Sequence, residues 1–404
     1  MAARLLAHEV ADLCLGKPPL KSLSISATVR YALTALKSTD DTHISVWSCN
    51  HNNHSISSYQ DCRCVGKICM VDIICYLCKD DNIMSPTTAL DSPVSVLLSP
   101  DSNVVTHVDP ATCLVEAIDL IINGAQNLVV PITRRTTINS KRKQTLPKES
   151  SIAPTTHTGG IEFCWLTQED VIRFLLNSIA LFSPTAAYSV NSLGIIDSDI
   201  LTVNYHSPAS TALHSITTAL ADQTSVAVVD DDGILIGEIS PFTLSYCDET
   251  AAAAIATLSA GDLMAYIDCG GPPEDIIKLV ETRLKQRDLK GMLESFSVYS
   301  SEINVNSKMC ATLLSSSDDE MLNSPVSVKS GRFSRSSSYS ARITRMAEAI
   351  VCYPGSSLVA VMIQAIAHRV SYVWVIEEDC SVVGIVRFSS MLEVFREHLE
   401  SMMS

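Results

Sequence analysis

Apolar residues recur along this chain in two alternating rhythms. Between Ala27 and Leu36, the residues Val29, Ala32, Leu33 and Leu36 fall on one helical face, and the short runs His43–Trp47 and Cys64–Ile68 fit strands. The rhythm returns with a helix carrying Leu114, Ala117, Ile118 and Ile121, followed by the strands Asn127–Pro131 and Ile161–Leu166. It returns again with Ala212, Leu213, Ile216 and Leu220, then Ser225–Val229 and Ile234–Ile239 around an Asp230-Asp-Asp-Gly233 turn. A fourth unit has a helix over Leu358–Ile366 and strands over Tyr372–Ile376 and Val382–Val386. Each unit spells strand, helix, strand, strand, helix. Asp109-Pro110 predicts a helix start in the second unit, and Pro272-Pro273 predicts one for a separate helix bearing Ile276, Ile277, Val280 and Leu284 that ends near Gly291.

The junction between the last strand and last helix shows the repetition most clearly. Phe163-Cys-Trp-Leu-Thr-Gln-Glu-Asp170 leads into Val171–Asn177, with Thr167 as a helix cap and Asp170 completing a Thr-x-x-acid capping box. Gly66-Lys-Ile-Cys-Met-Val-Asp72, Gly237-Glu-Ile-Ser-Pro-Phe-Thr243 and Gly384-Ile-Val-Arg-Phe-Ser-Ser390 occupy the corresponding places. Internal repetition of this kind fixes architecture before any single motif does. A unit of about 50–60 residues leaves an apolar face open, so the units must pair. The fold expected is α/β, with small sheets covered by helices.

The 404 residues suffice for two or more domains, and 47% of them are hydrophobic. The net charge of −15 argues against general nucleic-acid binding and against anionic membranes. No uncharged apolar run approaches the roughly 20 residues of a membrane-spanning helix. Met1–Val10 has too short an apolar run for a signal peptide, so the fourteen cysteines are expected to be free thiols in a reducing, intracellular and cytoplasmic setting. Two stretches break the pattern. Residues 133–160 carry Arg134, Arg135, Lys141, Arg142, Lys143 and Lys148 among Ser, Thr, Pro and Gly, and residues 300–345 are serine-rich; both predict mobile insertions. The basic run doubles as an alternative nuclear-targeting patch.

The stretch from Val203-Asn-Tyr-His-Ser-Pro208 through Val228-Val-Asp-Asp-Asp-Gly-Ile-Leu-Ile-Gly-Glu-Ile-Ser240 resembles a cystathionine-β-synthase (CBS) domain. Asp12-Leu-Cys-Leu-Gly-Lys-Pro18 and Ser259-Ala-Gly-Asp-Leu-Met-Ala-Tyr-Ile267 are similar to the plant CBSX-type proteins, which have four such repeats. The resemblance implies two tandem Bateman modules: repeats at 10–80 and 100–182, then 196–267 and 346–400, with a linking helix in 268–299. It also implies a regulatory, non-catalytic protein. Many Bateman modules bind an adenosine-containing ligand, here AMP, ADP, ATP or S-adenosylmethionine, and act on a partner enzyme such as a protein kinase. Whether the two modules stack within one chain or form a homodimer stays open.

A ribose presents two adjacent hydroxyls that one carboxylate can accept. On that ground the resemblance carries ligand binding onto Asp72, Thr167, Asp170 and Ser240. The match is uneven: Cys164 stands where the family usually has Gly, Cys69 replaces a hydroxyl, Thr243 and Ser390 replace the acids, and Arg387 replaces another hydroxyl. The second module therefore lacks both ribose carboxylates. The alternative is a CBS scaffold that has lost its ligand and is regulated by phosphorylation of Ser334, Ser336 or Ser338, which follow Arg332 and Arg335 at spacings suited to basophilic kinases. No nucleophile–base pair, metal motif or phosphate loop points to an enzyme. Cys49, His51, His54, Cys62 and Cys64 cluster without a zinc spacing, and Cys75-x-x-Cys78 lies within a helix, where no thiolate is favoured. His368-Arg369 ends a helix and satisfies its dipole without needing a ligand.

Overall fold

The structure is a computed structural model, and it describes residues 8–39, 41–49, 62–98, 105–132, 161–268, 273–297 and 349–403. The loop histidines His51 and His54, the basic insertion 133–160 and the serines Ser334, Ser336 and Ser338 lie outside the described residues.

Among the described residues, twelve strands form four three-stranded sheets of one topology. The first holds β1 (Ser22–Ser24), β2 (His43–Cys49) and β3 (Cys62–Cys69); the second, β4 (Val105–His107), β5 (Asn127–Ile132) and β6 (Glu162–Thr167). The third holds β7 (Thr202–Asn204), β8 (Val226–Val229) and β9 (Leu235–Ile239); the fourth, β10 (Val351–Cys352), β11 (Tyr372–Ile376) and β12 (Val382–Arg387). In every sheet the first strand runs parallel to the middle one and the third antiparallel to it.

The middle strands show how one sequence pattern builds two interfaces. Successive side chains point to opposite faces of a strand. Ile44, Val46, Val226 and Val228 face one helical core, which joins repeats one and three. Leu128, Val130, Val373 and Val375 face a second, which joins repeats two and four. The intervening residues face a partner sheet: Trp47 and Val129 meet between repeats one and two, and Ala227, Tyr372 and Trp374 between repeats three and four. Sheets therefore pair within a module and helices pair between modules. Both faces of each middle strand are buried, which is why these strands are nearly continuous apolar runs.

The helices that matter for the site follow from this. Repeat one contributes α1 (Val10–Leu13), α2 (Val29–Ser38) and α3 (Met70–Leu77); repeat two, α4 (Leu114–Ile122) and α5 (Gln168–Asn177). Repeat three contributes α6 (Leu213–Asp222), α7 (Pro241–Leu244), α8 (Ala251–Thr257) and α9 (Ala260–Asp268). Beyond it stand α10 (Glu274–Gln286), then α11 (Leu358–His368) and α12 (Phe388–Met403) of repeat four. Among the described residues, two ion pairs span the module boundary: Lys37 with Glu249 at 2.6 Å, and Arg396 with Asp119 at 2.5 Å.

Three boundaries differ from expectation. Asp109-Pro110 forms a turn, with Asp109 accepting from Ala111 N–H, and α4 begins at Leu114 behind a Cys113 cap. Asp72 lies inside α3 as its third residue, because Cys69 is the cap and the carboxylate reaches back to it. The helix α10 ends at Gln286, and Gly291 lies within a following helical segment, where a Cβ would stand 2.9 Å from Pro86. That glycine serves a close approach, not a helix end.

Candidate functional site

At the centre, where all four repeats meet, lies a cavity of about 350 Å³. Repeat one supplies Thr42, His43, Lys67 and Cys69 to its wall, and repeat two supplies Asn127, Trp165, Thr167 and Glu169. Repeat three contributes Gln223, Ser240 and Phe242, and repeat four contributes Arg369, Ser371 and Tyr372. A second cleft of about 340 Å³ opens between repeats one and two, lined by Lys17, Pro18, Lys21 and Asp41. The two adjoin, because Thr42, His43 and Trp165 line both.

Three donor side chains on the wall of the central cavity have no acceptor among the described residues. Lys67 occupies the variable place of Gly66-x-Ile68 within strand β3, and burial lowers its pKa. It makes no hydrogen bond or ion pair among the described residues. Asn127 is 4% exposed, and its side-chain amide nitrogen has no partner among the described residues. Arg369 ends α11 in the left-handed region, at φ 58°, and its guanidinium makes no ion pair among the described residues. Gln223 ends α6 in the same conformation, at φ 56°, and donates to Gln126 O at 3.3 Å. Non-glycine residues held there carry backbone strain of about 1 kcal/mol or more. Burial, and then the Lys67 charge, push His43 down to about 3, so its imidazole is neutral at neutral pH. The acid on the wall, Glu169, is already paired with Arg173 at 2.6 Å. A cavity offering an ammonium, a guanidinium and an orphan amide suits an anion.

The four residues carried over from the resemblance divide into two groups. Thr167 and Ser240 line the central cavity. Thr167 N–H donates to Asp170 Oδ2 at 2.8 Å, its hydroxyl donates to the same oxygen at 2.7 Å, and Asp170 N–H returns to the hydroxyl at 3.3 Å. Ser240 caps α7 by accepting from Phe242 N–H, directly ahead of the Pro241 at the first helical position. Asp170 stands behind Thr167 and takes the Lys17 ammonium at 2.5 Å, while Lys17 also donates to Trp165 O at 2.9 Å. Asp72 accepts from Cys69 N–H at 2.7 Å, and burial raises its pKa above the ordinary value.

Repeat four carries a mirror of this contact with the charges exchanged. Arg387 pairs with Asp197, which lies in the segment entering repeat three. That segment is pressed against β12: Asp197 N–H donates to Ile385 O at 2.9 Å, and Ile385 N–H donates back at 2.8 Å. A Cβ on Gly384 would stand 2.5 Å from Asp197 O. Sequence reasoning missed Lys17, Lys67, Asn127 and Arg369 as a group. A lysine inside an apolar strand was the legible signal for Lys67, and Arg369 was legible as a helix-end cation but read as serving the helix dipole; nothing local marked Lys17 or Asn127.

Among the described residues no group of three or more His, Cys, Asp or Glu is placed to hold a metal ion, and no helix is long and apolar enough to cross a membrane. Cys75 and Cys78 lie at the end of α3, with thiols held above their ordinary pKa by burial, Cys75 at about 12.

No family model matches the chain. The chain is 50% identical over 409 residues to the CBS domain-containing protein CBSX5 of Arabidopsis thaliana, covering 99% of this chain and 100% of the relative. The chain belongs to the CBS domain-containing proteins. This CBS protein also shares 20% identity over 171 residues, 42% of its length and 44% of the relative's, with an Arabidopsis thaliana SNF1-related protein kinase regulatory subunit gamma-like protein, PV42b. Its fold is similar to that of a Methanocaldococcus jannaschii protein described as an archaeal homolog of γ-AMPK, with a TM-score of 0.52 and 14% identity over 96% of this chain and 100% of the other. The four-sheet arrangement of this CBS protein accords with that fold.

Proposed function

We propose that this CBS protein is a non-catalytic regulator whose first CBS pair takes an adenosine-containing ligand, with the ligand's phosphate directed into the central cavity. The observation that carries the reading is the convergence of Lys67, Arg369 and the orphan amide of Asn127 on a cavity that adjoins the cleft between repeats one and two. The cleft supplies Trp165 and prolines for a flat base, and Lys17 on its wall holds Asp170, the carboxylate that a ribose would have to take from it. All four repeats touch the cavity, so an occupant would bridge both modules and stabilise one relative arrangement of them. That gives ligand state a route to a partner's binding surface. The kinase-subunit name of a distant relative supports a protein kinase as the class of partner. Phosphorylation of Ser334, Ser336 or Ser338 remains a separate proposal of regulation from the sequence.

The experiment is thermal unfolding of the full chain with AMP, ADP, ATP and S-adenosylmethionine at millimolar concentration. A ligand that binds only the folded state raises the midpoint with concentration. The rise is expected for at least one nucleotide and is expected to vanish in Lys67→Met. A flat response to all four sinks the reading.

One observation favours the alternative, a ligand-free CBS scaffold: Lys17 already occupies the Asp170 carboxylate. The same titration separates the two, since a scaffold responds to none of the ligands in either the native chain or Lys67→Met.

A further inference from the structure

Three donors converge on one oxygen of Asp170. Thr167 N–H and the Thr167 hydroxyl reach Oδ2 at 2.8 and 2.7 Å, and the Lys17 ammonium reaches the same atom at 2.5 Å. No described residue donates to Oδ1. The two Thr167 donors belong to the capping box that starts α5, so neither can leave without opening the helix. Lys17 can. Its backbone is held independently of its charge, because Leu20 N–H donates to Phe163 O at 2.8 Å and Ser45 N–H donates to Lys21 O at 3.0 Å. Its ammonium keeps a second acceptor in Trp165 O at 2.9 Å. The pair is not sealed from solvent either, with side chains 22% and 25% exposed.

The two hydroxyls of a ribose can share one carboxylate. Oδ1 is open to the first, and Oδ2 opens to the second when Lys17 swings away. The displaced ammonium then needs a new acceptor, because a part-buried charge without a partner is costly. The walls do not supply a free carboxylate. Of the acids lining the cleft and the central cavity, Asp41 is paired with Lys21 at 2.8 Å and Glu169 with Arg173 at 2.6 Å. The negative charge has to arrive with the ligand.

We propose that Lys17 sets the ligand class by exchanging the Asp170 carboxylate for the phosphate of an entering nucleotide, so that the first CBS pair admits adenosine phosphates and rejects adenosine and S-adenosylmethionine. The exchange rests on the functional reading above, because Asp170 is its ribose acceptor. For a nucleotide, one ion pair is given up and another is made, while the ribose hydroxyls take over the carboxylate. Adenosine is neutral and leaves the ammonium unpaired. S-adenosylmethionine carries a sulfonium cation on the carbon where a nucleotide carries its phosphate, and that charge is repelled by Lys17 and by the Lys67 and Arg369 cations of the adjoining cavity. Lys17 is thus a specificity-determining residue whose work is done by its change of partner.

The test is calorimetric titration of the full chain and of Lys17→Met and Lys17→Arg with AMP, adenosine and S-adenosylmethionine, with the melting midpoint of each variant checking its fold. The native chain is expected to bind AMP at least about tenfold more tightly than the other two, the scale of one charged hydrogen bond. In Lys17→Met the adenosine affinity is expected to rise and the AMP affinity to fall, shrinking the preference by about tenfold or more, while Lys17→Arg keeps it. The rise for adenosine is the signature, since loss of a phosphate contact alone could not produce it. Equal binding of AMP and adenosine by the native chain overturns the proposal and leaves the functional reading standing, as does an unchanged ratio in Lys17→Met. If neither the native chain nor Lys17→Met binds any of the three, the functional reading fails and the exchange fails with it.

Discussion

Lys17 reaches across from the segment entering repeat one to bond Asp170 at 2.5 Å, the carboxylate proposed to take a ribose. Asp197 stands at the corresponding point of the second module, five residues ahead of β7 as Lys17 is five ahead of β1, and it bonds Arg387. The two contacts are one design with reversed polarity. In the first module the junction keeps the acid and the passing segment brings the cation; in the second the junction has the cation and the segment brings the acid. Only the first arrangement leaves a carboxylate at the junction, which is why the proposed ribose contact belongs to the first module.

Replacing Asp170 separates binding from capping. Asp170→Ala removes the acceptor of Lys17 and of two Thr167 donors, while Thr167 still caps α5. The expected cost is about 1–3 kcal/mol of stability, with the fold retained and nucleotide response lost. Urea unfolding gives the first quantity and ligand-dependent melting the second; an unfolded variant would show that Asp170 is chiefly structural.

Lys67 exchanges stability for binding. Burial lowers its pKa, so the folded protein holds the charged form reluctantly. Lys67→Met should therefore raise the unfolding midpoint of the ligand-free protein near neutral pH. The same change should weaken nucleotide binding by about tenfold or more, the size of a lost charged hydrogen bond. Melting curves with and without AMP test both halves at once.

Glu238 predicts a pH dependence in the second module. It lies between the paired sheets, 3% exposed, and accepts from Tyr372 Oη at 2.9 Å and Trp374 Nε1 at 2.7 Å. Burial outweighs these hydrogen bonds and raises its pKa to about 7 from 4.5. Between those values the folded state binds more protons than the unfolded one, so its stabilising share is complete below pH 4.5 and is lost as pH rises through about 7. The loss amounts to roughly 3 kcal/mol. Glu238→Gln, whose amide can serve both aromatic partners, should remove that slope and be the more stable protein at pH 8. Urea midpoints at pH 5 and pH 8 decide it.

Gly384 has a steric reason to be glycine. A Cβ there would stand 2.5 Å from Asp197 O and 2.7 Å from Ile196 Cγ2, displacing the segment that pairs with Arg387. Gly384→Ala should cost about 1–3 kcal/mol by overpacking. Chemical denaturation checks it, and a neutral result would show that the segment can shift freely.

The sequence by itself determined the repeats. The apolar runs of β2, β5, β8 and β11 were legible because each middle strand is buried on both faces, and burial on both faces demands nearly unbroken apolar character. The Thr167–Asp170 box and the Ser240-Pro241 cap were legible too, since helix capping is settled within four residues. The start of α4 was misread at Pro110 because a turn and a helix entrance use the same residue types. What only the tertiary structure decided was every relationship between distant segments. Lys17 finds Asp170 across 153 positions, and Arg387 finds Asp197 across 190. Lys67, Asn127 and Arg369 come from three different repeats to one cavity. Such pairings follow from how sheets stack within a module and helices between modules, and no local pattern of residues encodes that stacking.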